Sequence, residues 1–200
     1  MKPSRRFALL LLTLVTALVM AQTTPTRVRG SIEEFDNSVL TVKTREGSTV
    51  KIKAAENLAV NGVVALRLAD IVPGKYVGTA SVPQPDGSEK ALEVLVFPDA
   101  MRGSGEGHYP WDLQPNSMMT NAEVAQVVTI GSNREMILRY KDGERKVLVV
   151  EGTPIVSFTS LDRTALKAGV RVFVVAQRQP DGSLTAARVT VELNGVVPPM

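Results

Sequence analysis

The chain has 200 residues, 44% hydrophobic and 22% charged, with 15 Gly, 12 Pro and no Cys. That is a globular composition, which excludes collagen, coiled coil and wholesale disorder. The absence of Cys removes disulfides, thiolate catalysis and Cys-based metal centres. Lys and Arg number 23 against 20 Asp and Glu, a net charge of +3, and a single His, His108, excludes any site that needs two imidazoles.

In chain order, Lys2, Arg5 and Arg6 form a basic stretch ahead of an apolar run from Phe7 to Met20, and Val19-Met20-Ala21 sets small residues at −3 and −1 before Gln22. This is the pattern of a secretory signal peptide over 1–21. The apolar run is shorter than the roughly 20 residues of a spanning helix. No Cys follows it, so a lipoprotein is excluded. Such a leader carries three basic and no acidic residues, which leaves 20 of each sign in 22–200. The expectation is a periplasmic protein with no membrane span after cleavage. It lacks the basic footprint of a nucleic-acid binder.

From residue 28 the pattern is β. Val28–Phe35, Val39–Lys43 and Val50–Lys53 read as strands separated by turns at Asp36-Asn37-Ser38 and Glu46-Gly47. After a short stretch at 58–64 and a helical turn at Leu66–Ile71, Tyr76–Val82 and Ala91–Phe97 form a hairpin closed by Pro85-Asp86-Gly87. The order then recurs as Val124–Ile130, Met136–Tyr140, Lys146–Val150, Leu161–Leu166, Val170–Gln177 and Leu184–Leu193. Gln84-Pro85-Asp86-Gly87-Ser88 returns 95 residues later as Gln179-Pro180-Asp181-Gly182-Ser183, with Gly74, Val77, Ala91, Val94 and Val96 matched by Gly169, Val172, Ala186, Val189 and Val191. The expected fold class is therefore all-β: two tandem small OB-like β-barrels arising by internal duplication, with a small sandwich as the alternative. The expected divisions are a barrel over 22–98, a Gly/Pro-rich connector over 99–121, a second barrel over 122–193 and a tail over 194–200.

The connector holds the only His and the only Trp of the chain. Gly103, Gly105 and Gly107 permit tight turns, while Pro110 and Pro115 prevent a regular helix. One reading packs Trp111 into the seam between barrels as an anchor, with Glu106, His108 and Asp112 as polar recognition groups. The other makes Glu106, His108 and Asp112 ligands of a divalent metal ion, with Met118 and Met119 as further soft donors. Catalysis finds no support. Gly-x-Ser-x-Gly, a phosphate loop and a dinucleotide fingerprint are all absent, and Asp86 and Asp181 recur because a turn recurs.

Val28-Arg29-Gly30-Ser31-Ile32-Glu33, Leu40-Thr41-Val42-Lys43-Thr44, Leu68-Ala69-Asp70-Ile71-Val72-Pro73-Gly74 and Arg102-Gly103-Ser104-Gly105-Glu106-Gly107-His108, followed by Pro110-Trp111-Asp112, together resemble a group of exported proteobacterial proteins. That group is built from a small β-barrel domain of unknown function, and its members are often labelled metal ABC transporter permeases. The resemblance implies export, a β-barrel and a link to metal handling, but no catalytic residue. Tyr109 stands where that pattern has a basic residue. A permease needs several spanning helices, and no segment after residue 21 is long and apolar enough to supply one. The expected function is a non-catalytic periplasmic protein that binds a protein or small ligand, without a cofactor; the alternative is a soluble metal-binding accessory.

Overall fold

The computed structural model describes residues 25–199; the leader expected over 1–21 lies outside them. The described residues form an all-β structure: β1 (Thr26–Phe35), β2 (Val39–Thr44), β3 (Thr49–Ala65), β4 (Tyr76–Pro83), β5 (Glu89–Ala91), β6 (Val94–Val96), β7 (Gly107–Pro110), β8 (Met118–Ile130), β9 (Asn133–Tyr140), β10 (Gly143–Val149), β11 (Ile155–Leu161), β12 (Arg171–Arg178) and β13 (Leu184–Val191). Short 3-10 turns occupy Leu68–Asp70, Asp99–Met101 and Arg163–Ala165. Among the described residues no helix is long and apolar enough to cross a membrane.

Local chemistry explains the strand ends. Asp36 Oδ1 accepts the backbone N–H of Ser38 at 2.9 Å and of Val39 at 2.6 Å, holding the β1–β2 turn around a left-handed Asn37. The two Pro-Asp-Gly turns are near copies. Asp86 accepts the Ser88 N–H at 3.0 Å and Asp181 that of Ser183 at 2.9 Å, with Gly87 and Gly182 at φ of 82° and 83°. Left-handed backbone at those positions is what glycine supplies without steric cost.

Five strands close into one small mixed barrel. β1 runs antiparallel to β2 and β12, β2 to β3, and β12 to β13, while β3 and β13 close the ring as a parallel pair. Alternate residues of the strands fill it: Val28, Ile32, Leu40, Val42 and Ile52 meet Val172, Val174, Val189 and Val191. The barrel therefore draws on both ends of the chain, and the contiguous barrel expected over 22–98 is corrected. The reason is the length of β3. At 17 residues, with a bulge between Ala54 and Ala59, it carries the chain past the first barrel, so the hairpin that follows meets other partners.

Those partners are strands of the second half. β4 pairs with β5 and β8, β8 with β9, β9 with β10, and β10 with β5 in a two-residue parallel contact. Their buried face, including Val77, Val94, Val124, Met136, Leu138 and Val147, makes a separate core. The far end of β3 pairs with β11, β11 with β6 and β6 with β4, joining both strand sets into one sheet.

Two further expectations change. The segment over 99–121 includes β7, and β8 starts at Met118 rather than Val124, because residues 118–121 pair with β7 on one side and β4 on the other. The expected strand at Ala91–Phe97 is interrupted at Leu92 and Glu93, a break that matters for the cavity described next.

Gly30 lies in β1 opposite Thr44 and Val172, and a Cβ there would sit 2.0 Å from the Lys43 carbonyl oxygen. Backbone on both sides leaves no room to yield. Gly30→Ala is expected to lower stability by about 2–3 kcal/mol, measurable by urea denaturation. A loss below about 0.5 kcal/mol, the usual scale of a neutral surface change, would contradict this packing.

Candidate functional site

Where the barrel meets the second strand set, a third cluster gathers Val63, Tyr76, Leu95, Phe97, Val156 and Phe173, with Trp111 and Phe158 packed against it. The cluster does not fill the seam. It leaves a cavity of about 540 Å³ with largely apolar walls, among them Leu95, Phe97, Met119, Phe158, Phe173 and Trp111. That size suits a small organic molecule.

The lining has an internal correspondence. Gly78 and Phe173, Glu93 and Arg188, and Leu95 and Thr190 all line the cavity, and each pair is separated by the 95-residue repeat interval. The hairpins β4–β6 and β12–β13 thus face one space from matching positions. Gly78 is needed there: a Cβ would lie 2.5 Å from Asn121 Oδ1 and 3.1 Å from the Phe97 ring.

Buried polar atoms without partners concentrate at this place. Among the described residues, the buried side-chain atoms lacking a hydrogen bond are Arg29 Nε, Glu93 Oε2, Trp111 Nε1 and Asn121 Oδ1. Three of these four residues line the cavity. The fourth, Arg29, has its guanidinium 5.0 Å from the Phe173 ring centroid and 5.9 Å from that of Trp111. An unpaired buried polar group costs about 1–3 kcal/mol, so several at one spot call for an explanation.

Glu93 is the costliest. It is 1% exposed, in the break between β5 and β6. Burial pushes its carboxyl up to about 8, against the weaker downward pull of Arg29 and Arg45. Asn121 Nδ2 donates to the Gly105 carbonyl at 3.1 Å and to the Tyr109 hydroxyl at 3.0 Å, which fixes its amide so that Oδ1 is the free acceptor.

The residues singled out from sequence are dispersed. Trp111 is on the cavity wall, with the Arg27 guanidinium 3.7 Å over its ring. Asp112 Oδ1 accepts from Arg29 Nη2 at 2.8 Å, and Oδ2 lies 3.5 Å from Arg27 Nη1. Burial raises the Asp112 pKa, but the Arg29 hydrogen bond and both positive charges outweigh it and bring it below the ordinary value.

His108 and Glu106 point elsewhere. His108 Nδ1 is 2.9 Å from Thr120 Oγ1, and its Nε2 is 3.6 Å from the buried Glu89. Burial lowers the His108 pKa, aided by Arg145 and opposed by Glu89. Glu106 Oε1 accepts the Lys141 backbone N–H at 2.8 Å and borders a separate hollow beside Arg102 and Tyr140. Glu106, His108 and Asp112 therefore do not converge, and no group of three such ligands occurs among the described residues. The metal alternative read from the sequence finds no such cluster in this arrangement: each side chain is held by different partners, Glu106 by the β9–β10 turn, His108 by β8 and β5, and Asp112 by β1.

Glu93, Asn121, Arg27, Arg29 and Arg188 were not picked out from sequence. One signal was available for Glu93, a lone charge inside the apolar run Leu92-Glu93-Val94-Leu95-Val96-Phe97, where burial of a carboxyl is unusual. Comparisons with family models, with curated proteins and with solved structures found no match to this chain.

Proposed function

We propose that the chain is a non-catalytic binding protein of the periplasm whose site is the cavity between the two strand sets. The observation that carries this reading is the apolar cavity of about 540 Å³ itself, walled by aromatic rings and lined by the charged residues Arg27, Glu93 and Arg188. A ligand with a polar head on an apolar body would fill the space between the aromatic rings and set its head against the charged side chains of the wall. Export rests on the leader pattern of residues 1–21.

The architecture is best read as an internal duplication of an OB-like unit with exchanged hairpins. β12 and β13 begin and end 95 residues after β4 and after the β5–β6 span. The parallel β3–β13 contact has its counterpart in β10–β5. In this reading each OB-like ring takes three strands from one copy and a hairpin from the other, and the binding cavity lies between the exchanged hairpins.

The sole Trp on the cavity wall supplies the test. Titration with the neutral dye N-phenyl-1-naphthylamine is expected to give saturable fluorescence at one dye per chain, with energy transfer from Trp111. Val175, 43% exposed at the cavity edge, provides the control, since Val175→Tyr narrows the opening and is expected to weaken dye binding about tenfold, the equivalent of one well-packed contact. A dye signal that never saturates, or that is the same in the variant, would sink the reading.

A further inference from the structure

We infer that the ligand is a small apolar monocarboxylate, its head group held by Arg27 and Arg188 on the cavity wall; this rests on the cavity being a binding site. Arg27 and Arg29 stack against the rings of Trp111 and Phe173, both on the wall. Their side chains are only 18% and 11% exposed. Two guanidiniums share a single carboxylate, Asp112, which is itself 49% exposed. Arg188, from the opposite hairpin, adds a further positive charge to the lining.

Arg27 and Arg188 are the positive groups of that wall, and the Glu93 carboxyl, which burial raises to about 8, sets no negative charge against an anion at neutral pH. A carboxylate offers about four lone-pair sites to N–H donors, and its hydrogen bonds with guanidiniums are charge-assisted. An ammonium head would instead meet the like charges of Arg27 and Arg188.

The pH dependence has a definite sign. Arg29 and Arg45 face Glu93 electrostatically, while Arg27, Arg188 and Tyr109 share its cavity. The arginines stay charged, and burial raises the Tyr109 phenol above its ordinary value. His108 faces Glu89 instead. Glu93 is therefore the group that changes charge between pH 6 and 9. Its ionisation at the upper end sets a negative charge against the bound carboxylate, so affinity falls as pH rises through about 8.

Three probes with one body and different heads test this: 4-phenylbutyrate, 4-phenylbutanol and 4-phenylbutylamine, titrated by calorimetry and Trp111 fluorescence. At pH 7 the carboxylate is expected to bind at least about tenfold tighter than the alcohol, with the amine weakest, the scale of one charge-assisted contact. Arg27→Gln should cost the carboxylate about tenfold and the alcohol less than about threefold. Between pH 7 and 9 the carboxylate should lose about fivefold or more, and Glu93→Gln should abolish that loss. If the alcohol or amine binds as tightly as the carboxylate, the carboxylate inference is overturned while the cavity reading stands. If none of the three binds while the dye does, the carboxylate inference falls and the cavity reading stands; if the dye fails to saturate as well, both fall.

Discussion

A chain ended at residue 98 is expected to remain unfolded, showing no cooperative thermal transition by circular dichroism and no dispersed amide spectrum. The barrel core contains fifteen buried residues, and eight of them, Leu166, Val172, Val174, Ala176, Leu184, Ala186, Val189 and Val191, come from the second half of the chain. The fragment would keep β1–β3 without the hairpin that pairs with β1 and β3. Its sheet would have two bare edges and half a core, well under what a unit of some 70 residues needs. Mixing it with a fragment over 99–200 should restore the transition, since each piece holds the hairpin the other lacks. A cooperative melt in the 22–98 fragment alone would contradict the exchanged pairing, because two contiguous tandem barrels would fold separately.

Replacing Glu93 by Gln should stabilise the protein by about 3 kcal/mol at pH 7 and by little at pH 4.5, at roughly 1.4 kcal/mol per unit of displaced pKa. The folded carboxyl titrates near 8 against an ordinary value of 4.5, and burial is the cause. Below 4.5 both folded and unfolded chains hold the proton, so folding is not penalised. Between 4.5 and 8 only the folded chain holds it; each pH unit then favours unfolding, and the penalty is complete above 8. Gln has no charge to desolvate and nearly the same shape. Urea denaturation of both proteins at pH 5, 7 and 8.5 measures the difference. Parallel stability–pH curves would show that the carboxyl is not desolvated as its surroundings indicate. Retaining such a cost at neutral pH makes sense where the group meets a ligand, and the same variant carries the pH control for carboxylate binding.

How much was legible in the sequence differs between the fold and the site. The all-β class and most strands followed from period-2 alternation, and the paired Pro-Asp-Gly turns followed from residues whose backbone preferences are local. Trp111 was expected in a seam on the ground that a plain spacer has no use for one, and it lies on the cavity wall. Glu106, His108 and Asp112 looked like a set because they are neighbours along the chain. Their partners, however, are Lys141, Thr120 with Glu89, and Arg29 with Arg27, none of which chain proximity could reveal.

What the sequence by itself determined is therefore the alphabet of short-range structure: strands, tight turns, the repeat interval of 95 residues and an even charge balance beyond the leader pattern. Which hairpin closes the barrel was decided only in three dimensions. β4–β5 and β12–β13 carry matching apolar patterns, so either satisfies the local rules for pairing beside β1 and β3. The continuous run of β3 through Ala65 placed the nearer hairpin out of reach. The cavity, the unpaired Glu93 and the arginine pair on Trp111 are consequences of that pairing, because each joins residues from strands that only the closed sheet brings together.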